Sequence, residues 1–298
     1  MDIFHILFNP HAGGGTGANE TKKLNGLLSD SKLIFHDMTK ISDYKEFFGS
    51  IASEDKVIVS GGDGTLNRFI NDTYDVSYEN EIWYYASGSG NDFLHDLGMQ
   101  KGASPFPIDK YIEKLPEVTV KGKTYRFING IGYGIDGYCC EEGDRQRARS
   151  TKPVNYTKIA IMGLLFHYRR TNARVTIDGV TKEYKKVWLA PAMNGRFYGG
   201  GMMMAPSQNR LADDRSLTVV VAHDVSSLHL LTIFPSIFKG EHIKYEKYID
   251  VLKGKHIKVE FDRPVSAQID GETVTDVKEY EAFTYEYAEK KTKEKVNG

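Results

Sequence analysis

The stretch that decides the fold of this chain is VIVSGGDGTLN, residues 57–67. Three β-branched apolar residues favour a strand, and they are followed by two glycines, an aspartate, a third glycine, and a threonine and an asparagine that we expect to open a helix. Glycine lets a backbone approach a ligand and reach positive φ, so this turn can direct its N–H groups at phosphate oxygens. The helix that follows adds the positive end of its dipole.

Asp63 lies in the middle of this predicted anion site. A carboxylate there is unfavourable unless a cation bridges it to the anion, which indicates a Mg²⁺-nucleotide rather than bare phosphate. Kinase chemistry is therefore the leading hypothesis.

The composition excludes several classes of protein. The chain has 298 residues, with 39 Lys and Arg against 40 Asp and Glu, so no global basic field favours nucleic acid as a partner. The apolar runs 159–166 and 228–238 are shorter than the roughly 20 residues that span a bilayer. The two cysteines, Cys139 and Cys140, are adjacent and favour neither a disulfide nor a zinc site, so we expect a reducing cytoplasm.

The first hundred residues alternate strand-like and helix-like segments, which predicts a doubly wound parallel sheet. The expected strands are 3–8, 33–36, 57–59 and 83–86, and the expected helices are 18–28, 44–52, 66–71 and 91–97. Ligands of such sheets bind at the carboxyl ends of the strands. The polar loops 9–17, 60–65 and 87–92 fall at those ends and can converge on one crevice.

A mainly antiparallel second domain is expected after a boundary near 105–120. Segments 118–127 and 174–182 alternate apolar and polar residues around a glycine turn, which is typical of hairpins. Further strands are predicted at 187–190, 217–222, 257–261 and 283–287.

The two other glycine-rich loops leave alternatives open. Loop 9–17 has four glycines and is either a phosphate flap or a mobile connection, but it lacks the GxxxxGK[ST] pattern of P-loop ATPases. In loop 87–92, Ser89 could donate to a phosphate. Asn91 or Asp92 could reach a metal-bound water or cap the next helix.

Four other patterns each allow a structural interpretation. Residues 132–137 match GxGxxG, but no convincing helix follows, so we expect a tight bend with close backbone approach. Asp213-Asp214 is either a solvated turn or a cation site completed by carbonyls. Asp270-Gly271 suits a hairpin turn. The stretch 159–166 is either a core helix or a lipid contact.

Two classes of site are disfavoured by missing motifs. The nine histidines show no HExxH or HxxxH pairing, so no transition-metal site is indicated. A Ser-His-Asp hydrolase is also disfavoured, because the chain has no GxSxG elbow.

Taken together, six motifs in order resemble bacterial members of the diacylglycerol kinase catalytic family. These are soluble lipid kinases related more distantly to sphingosine kinases, NAD kinases and phosphofructokinases. The motifs are Asn9-Pro10 with its glycine loop, the GGDGTLN run 61–67, GSGNDF at 88–93, GGGM at 199–202 with Ala205-Pro206, Asp213-Asp214, and Asp270-Gly271-Glu272.

The resemblance implies an ATP-binding α/β domain over residues 1–115, with a last strand at about 280–290 returning to it. A β-sandwich lipid-acceptor domain would cover residues 116–279, with ATP in the cleft. It also implies ATP and Mg²⁺ as cofactors, and a cytoplasmic protein that contacts the membrane peripherally. The oligomeric state, monomer or homodimer, stays open.

On this resemblance the cofactor site is formed by the three loops and one further residue. Its members are Asn9, Pro10, His11, Ala12, Gly13, Thr39, Gly61, Gly62, Asp63, Gly64, Thr65, Leu66, Asn67, Ser89, Asn91 and Asp92. Asp63 and Asp92 would organise Mg²⁺ and water. A structural Mg²⁺ would be held by Asp214 with the carbonyls of Leu211 and Ser216. Glu272, with Asp270 beside it, matches the proton acceptor, and which of the two is the base stays open.

Two residues depart from the family pattern. Ser89 stands where threonine is common, and it keeps the hydroxyl group. Arg215 stands where glycine is favoured, directly after the acidic pair, and so bears on the geometry of the structural metal site.

The predicted activity is transfer of the ATP γ-phosphoryl group to a lipid hydroxyl, with diacylglycerol as the expected acceptor. The alternatives are a kinase of a soluble acceptor such as NAD, and a regulator that binds nucleotide without chemistry. The acids Asp63, Asp270 and Glu272 argue against the regulator, since a sensor needs no proton acceptor.

Overall fold

The structure, a computed structural model, describes residues 1–88, 90–150 and 154–289. The chain divides into two compact units, Met1–Lys114 and Leu115–Gly298. Each unit has its own sheet, and each is described separately below.

The first unit is built on a largely parallel sheet. Its strands are β1 (Ile3–Phe8), β2 (Lys32–Asp37), β3 (Lys56–Gly61), β4 (Ile82–Ala86) and β5 (Phe106–Pro107). Its helices are α1 (Ala12–Gly15), α2 (Gly17–Thr21), α3 (Leu24–Leu27), α4 (Tyr44–Gly49), α5 (Asp63–Asp72), α6 (Asp92–Asp96) and α7 (Asp109–Ile112), with a 3₁₀ turn at Met38–Lys40.

The order of the strands places the predicted loops at one edge. The described strands run in the order β2-β1-β3-β4-β5, of which the first four are parallel and β5 is antiparallel to β4. The direction of winding reverses between β1 and β3, where doubly wound sheets bind their ligands. The four predicted parallel strands are confirmed, and their apolar pattern fills a core that includes Ile6, Leu24 and Ile58.

Helix α5 begins earlier than the sequence pattern indicates. Gly62 is its N-cap residue and Asp63 is already helical. The Asp63 N–H donates to the Gly90 carbonyl at 3.1 Å, and the Leu66 N–H donates to the Gly62 carbonyl at 3.1 Å. Asp63 therefore lies in the first turn of a helix rather than in the preceding loop.

The second unit is dominated by antiparallel strands. They are β6 (Glu117–Val120), β7 (Lys123–Arg126), β8 (Gly130–Tyr133), β9 (Thr171–Ile177), β10 (Val180–Val187), β11 (Ala192–Met193), β12 (Phe197–Tyr198), β13 (Met202–Met203), β14 (Leu217–Ala222), β15 (Ile249–Gly254), β16 (His256–Ile269) and β17 (Glu272–Phe283). The helices are α8 (Ile135–Arg149), α9 (Tyr156–Met162) and α10 (Ser227–Ile233), with a π turn at Gly163–His167 and 3₁₀ turns at Phe234–Lys239 and Glu241–Lys244.

The main sheet of this unit runs in the order β15-β14-β11-β8-β16-β17-β6-β7, and β9 pairs with both β16 and β10. Every pairing in it is antiparallel. The hairpins β6-β7 and β9-β10 confirm the two predicted from glycine turns. The expected architecture, a doubly wound α/β domain followed by an antiparallel sandwich, is confirmed.

The strand expected at residues 280–290 is wrong. Residues 280–283 are the end of β17, which pairs with β16 and β6 in the second unit, and residues 285–289 are helical. The helical spacing brings Phe283 and Tyr287 onto the same His256 ring, at centroid distances of 5.1 and 4.7 Å. These stacked rings favour a helical turn over a continued strand.

The GxGxxG segment does precede a helix, contrary to the sequence-based expectation, because α8 begins at Ile135. The expected close backbone approach is nevertheless present. Gly134 has a φ of 109°, and a Cβ on Gly137 would lie 1.8 Å from the Ser266 carbonyl oxygen of β16. These glycines therefore let α8 pack directly on the sheet.

No helix in the described residues is long and apolar enough to cross a membrane. Cys139 and Cys140 are free thiols on α8. Burial raises the pKa of the Cys140 thiol to about 12, which keeps it unreactive and suits a packing role.

Candidate active site

The Asp63 carboxylate joins two of the three predicted loops. Its Oδ2 accepts a hydrogen bond from the Asp92 N–H at 2.7 Å, and its Oδ1 accepts one from the Phe93 N–H at 3.1 Å. Those N–H groups open α6, so a residue of α5 caps the next helix. Asp63 is buried, and its position at two helix N-termini stabilises its negative charge.

This arrangement settles the capping alternatives for loop 87–92. Asn91 is the N-cap residue of α6 but its side chain caps no helical N–H, and its Nδ2 donates instead to the Gly88 carbonyl at 3.0 Å. Asp92 is the buried first residue of α6. The side chain that caps α6 is Asp63, 29 residues earlier, which the local pattern could not reveal.

Glycine is required where loop 60–65 meets loop 87–92. A Cβ on Gly88 would lie 2.4 Å from the Gly62 Cα, and a Cβ on Gly62 would lie 2.7 Å from the Gly90 carbonyl oxygen. A Cβ on Gly61 would lie 2.2 Å from the Thr65 side chain. The two loops are therefore in backbone contact, with no room for side chains between them.

Three buried hydroxyl groups, which we call the hydroxyl ladder, connect all three loops and were missed by the sequence analysis. The Thr21 and Ser60 oxygens are 2.7 Å apart, and the Ser60 and Ser87 oxygens are 3.0 Å apart. Thr21 also donates to the Gly17 carbonyl at 2.8 Å, at the end of the glycine-rich loop. Isolated serines and threonines carry no sequence signal, so only the fold could identify them.

The first turn of α5 offers donors to an anion. The N–H groups of Gly64 and Thr65 have no hydrogen-bond partner among the residues that the structure describes, and Gly64 is exposed. Such N–H groups at the start of a ten-residue helix are a ready site for phosphate oxygens.

The remaining predicted nucleotide residues are placed as follows. Asn9 organises its own loop, because its Oδ1 accepts the His11 N–H at 2.9 Å and its carbonyl accepts the Ala12 N–H at 3.1 Å. Thr39 donates through both N–H and hydroxyl to Asp37.

Pro10 directly follows Asn9 in the loop, Gly13 lies in the short helix α1, and Asn67 is buried on α5. Leu66 is fully buried, so its side chain belongs to the core rather than to a ligand surface. Ser89 lies outside the described residues.

In the second unit, Asp270-Gly271 forms the predicted hairpin turn between β16 and β17. Both residues have positive φ, 48° and 95°, as a two-residue type I′ turn requires. The buried Asp270 carboxylate accepts three backbone hydrogen bonds, from Ile128 at 2.6 Å, Asn129 at 2.8 Å and Gly130 at 3.0 Å. Asp270 is therefore an anchor that fixes the turn to the segment before β8.

Glu272 differs from Asp270 in its environment. It is the first residue of β17 and is exposed to solvent. Of the two acids, Glu272 is therefore the one that is open to solvent.

The predicted metal ligands share one loop ahead of β14. The Asp214 Oδ1 accepts the Ser216 N–H at 3.3 Å, and the Ser216 carbonyl already accepts the Gln208 Nε2 at 2.8 Å. The Arg215 guanidinium donates to the Arg210 carbonyl within the same loop at 3.0 Å. No group of three or more His, Cys, Asp or Glu side chains in the described ranges could hold a metal ion. The Asp214 and Ser216 oxygens that accept these hydrogen bonds keep further lone pairs, so a cation site formed by Asp214 with the Leu211 and Ser216 carbonyls stays a prediction.

Comparisons with known proteins agree with the motifs. Residues 4–121 match the family model of the diacylglycerol kinase catalytic domain, and residues 129–282 match that of the YegS C-terminal NAD kinase beta sandwich-like domain. The chain belongs to the bacterial diacylglycerol kinase catalytic family. It is therefore a member of a kinase family.

Individual relatives are distant but cover most of the chain. The diacylglycerol kinase of Mycobacterium tuberculosis is 26% identical over 268 residues, which is 85% of this chain and 84% of that protein. A Bacillus subtilis protein named "Putative lipid kinase YtlR" is 23% identical over 297 residues, 91% of this chain and 94% of that protein. A crystal structure of a diacylglycerol kinase from Bacillus anthracis has a TM-score of 0.58 at 20% identity, covering 95% of this chain and 94% of that one. The structural likeness supports the fold.

Proposed function

We propose that this protein transfers the γ-phosphoryl group of ATP, in a Mg²⁺-dependent reaction, to the hydroxyl group of diacylglycerol or a related lipid. The observation that carries the proposal is the first turn of α5. There the Asp63 carboxylate ties α6 in place, while the Gly64 and Thr65 N–H groups have no partner within the described residues. N–H groups that can donate hydrogen bonds to phosphate, together with an acid at the same helix N-terminus, suit a metal-bound nucleotide. Membership of the kinase family supports the same chemistry.

The residues of the first unit fit a nucleotide-bound Mg²⁺. This ion is usually held by one or two carboxylates together with substrate phosphates and water. Asp63 and Asp92, adjacent across the loop contact, supply carboxylate oxygens. When bound, Mg²⁺ would neutralise charge on the phosphates. The protein groups orient the phosphates through N–H donors and hold the loops rigid through Asp63, so that little reorganisation accompanies transfer.

We assign the proton acceptor to Glu272. Asp270 already accepts three backbone N–H groups, whereas Glu272 is exposed at the start of β17. A carboxylate placed to take the proton of the attacking alcohol contributes roughly 10²- to 10⁴-fold to the rate.

A lipid acceptor agrees with the surface of the second unit. Ile161 and Met162 at the end of α9 are each 37% exposed, and Phe166 in the following turn is 69% exposed. Helix α10 packs against this turn and carries Leu228, which is 71% exposed. We propose that these four side chains, the apolar tip, contact the membrane surface from which the lipid is taken.

The test of the activity is labelled ATP offered with a panel of acceptors. Diacylglycerol, sphingosine, ceramide and a prenyl alcohol are supplied in mixed micelles, and NAD in solution. We expect label on diacylglycerol, and a loss of roughly 10²- to 10⁴-fold in Glu272→Gln. Label on NAD alone would replace the proposal by a soluble-acceptor kinase. ATP binding without transfer to any acceptor would replace it by a nucleotide-binding regulator.

Vesicle sedimentation tests the apolar tip separately. Phe166→Asp should reduce binding to vesicles that contain diacylglycerol. The matched control is Val180→Asp, which places the same charge at a residue 76% exposed in the β9-β10 hairpin. Equal binding by Phe166→Asp and wild type would remove the tip from the proposal and leave the activity untouched.

A further inference from the structure

A cavity of about 430 Å³ opens in the second unit next to the apolar tip. Its lining combines Tyr138 and Glu141 of α8, residues 167–169, and the part of the β16-β17 hairpin around Arg263. The described lining is separate from the residues assigned above to the nucleotide and to proton transfer. The cavity is thus a candidate site of its own.

Two irregularities in the β16-β17 ladder shape this cavity. Residues 261–264 of β16 are matched by Lys278 alone on β17. Further along, Thr275 and Asp276 of β17 are matched by Ser266 alone on β16, and Asp276 has a left-handed φ of 57°. Bulges of this kind bend a strand, redirect its side chains and are frequent next to active sites. The bulged residues supply the sheet side of the lining.

Two arginines in the lining, Arg169 and Arg263, have no acidic partner among the described residues. The Arg263 Nη2 donates to the Arg169 backbone carbonyl, and the Arg263 guanidinium lies 5.6 Å from the centre of the Tyr168 ring. The exposed Arg169 side chain makes no hydrogen bond within the described ranges. Both guanidinium groups therefore have N–H donors to offer to a ligand.

The acids of the lining do not cancel this positive charge. Glu141 is already compensated, because its carboxylate accepts the Ser266 hydroxyl and pairs with Arg145. Asp276, which is exposed, is the one other carboxylate that lines the cavity in the described part of the chain. The two guanidinium groups outnumber it, and His167 adds a further positive charge when it is protonated. The cavity therefore favours an anion.

A phosphate ester fits this combination of size and charge. The planar guanidinium group donates two parallel hydrogen bonds to phosphate oxygens, which a lysine ammonium cannot do. The volume of the cavity lies within the usual range of ligand pockets, about 300–1,000 Å³. It leaves room for the glycerol that a lipid phosphate carries.

The cavity lies where lipid phosphates would be when the apolar tip meets a membrane. Residues 167–169 directly follow Phe166, which is 69% exposed in the tip. An apolar face at a bilayer surface enters by about 5–10 Å, to the boundary between headgroups and acyl chains. With Phe166 at that depth, a cavity that begins at the next residue is at the level of the headgroups.

We propose that this cavity binds a phosphate ester, and that the ester belongs to an anionic membrane lipid. The lipid phosphate accepts hydrogen bonds from Arg169 and Arg263 and holds the second unit on the surface from which the acceptor is taken. This second lipid site is separate from that of the acceptor hydroxyl, since Glu272 lies outside the described lining. The phosphate site does not depend on the proposed activity, whereas its membrane source rests on the apolar tip of the proposed function.

Vesicle sedimentation of the full chain without nucleotide tests the site. Wild type should bind vesicles of phosphatidylcholine and phosphatidylglycerol more tightly than vesicles of phosphatidylcholine alone. Arg169→Gln should weaken binding to the anionic vesicles by about tenfold, the effect of losing one charged hydrogen-bond donor, and should leave binding to the neutral vesicles unchanged. Because the Arg169 side chain has no hydrogen-bond partner in the described ranges, this variant should fold as wild type does.

Three further variants distinguish a built site from general surface charge. Arg169→Lys keeps the charge but loses the planar fork, so it should also weaken binding to the anionic vesicles. Asp276→Asn removes the opposing carboxylate and should strengthen that binding. The matched control is Arg174→Gln, which removes the same charge outside the cavity and leaves Glu260 with Lys258 at 3.5 Å, so it should bind as wild type does. Unchanged binding by Arg169→Lys, or equal losses in Arg169→Gln and Arg174→Gln, would overturn the proposal.

Soluble glycerol phosphate separates the two sources of the ester. Titration calorimetry should show it binding to wild type and not to Arg169→Gln, and it should displace wild type from the anionic vesicles. If it binds in that way while Arg169→Gln sediments with anionic vesicles like wild type, the phosphate site is kept and the membrane source is overturned. Glu272→Gln should behave as wild type in both experiments, since neither includes ATP. An inactive kinase and a failed phosphate site therefore give different results.

Discussion

Replacing Asp270 should destabilise the Asp270-Gly271 turn rather than merely remove an acid. In Asp270→Ala, three backbone N–H groups lose the carboxylate that now accepts them at 2.6, 2.8 and 3.0 Å. Alanine must also adopt a φ of 48°, which is strained for a residue other than glycine, asparagine or aspartate.

The expected loss in the free energy of unfolding follows from the number of N–H donors left without a partner. An unsatisfied buried donor costs roughly 1–3 kcal/mol, and water can reach part of this site because Asp270 is 9% exposed. We expect Asp270→Ala to lose about 3–5 kcal/mol, a large share of the roughly 5–15 kcal/mol that stabilises a typical domain. In Asp270→Asn one oxygen is kept and asparagine tolerates the left-handed backbone, so the loss should be about 1–3 kcal/mol.

Urea denaturation of both variants beside Glu272→Gln is the assay. The free energy of unfolding should fall in the order wild type, Asp270→Asn, Asp270→Ala. Glu272→Gln should stay within about 0.5 kcal/mol of wild type, since its side chain is exposed. Lipid phosphorylation should be lost in Glu272→Gln although the protein remains folded. Unchanged stability in Asp270→Ala, or full turnover in Glu272→Gln, would refute the division of roles between the two acids.

Three other variants test separate features. Asp63→Ala should abolish phosphotransfer and, because it orphans two N–H groups, lower the free energy of unfolding by roughly 2–4 kcal/mol; near-normal turnover would exclude Asp63 from the site. Gly137→Ala should prevent stable folding, since its Cβ would lie 1.8 Å from the Ser266 carbonyl oxygen, and a normal circular dichroism melt would contradict that contact. Burial lowers the pKa of His242 in the folded protein to about 4. The neutral imidazole therefore contributes fully to the stability of the fold above the pKa of the unfolded chain, near 6.5, and that contribution is lost as the pH falls toward 4. Between pH 7 and pH 5 the free energy of unfolding of the wild type should therefore fall by about 2 kcal/mol more than that of His242→Gln. The same pH dependence of this free energy in both proteins would contradict the prediction.

Elements defined by local patterns were predictable from the sequence. The strand at residues 3–8 has its predicted bounds, and the three parallel strands that follow were placed within two residues, because a short apolar run between polar loops is a local signal. Helix α8 was missed because Gly137 and Gly143 lie inside it. Both glycines are needed for tertiary contacts: Gly137 lies against the Ser266 backbone, and Gly143 lies against the Tyr156 ring.

The same distinction holds for the candidate site. The glycine-rich loops and the acids were visible as motifs, and loops 60–65 and 87–92 do converge within the first unit through Asp63 and the backbone contact of Gly62 with Gly88. The division of roles between Asp270 and Glu272 was not visible, since it depends on N–H groups about 140 residues away. Neighbouring acids in a sequence can thus have unrelated roles in the fold.

The hydroxyl ladder has a fixed direction of proton donation. Each hydroxyl has one proton, and Thr21 gives its proton to the Gly17 carbonyl, so Ser60 must donate to Thr21 and Ser87 must donate to Ser60. The outermost oxygen, on Ser87, consequently has only lone pairs to offer. While it donates to Ser60, the Ser87 hydroxyl can accept a hydrogen bond but has no proton to give to a phosphate oxygen. On the proposed function, the backbone N–H groups at the start of α5, rather than Ser87, are then the donors to a triphosphate.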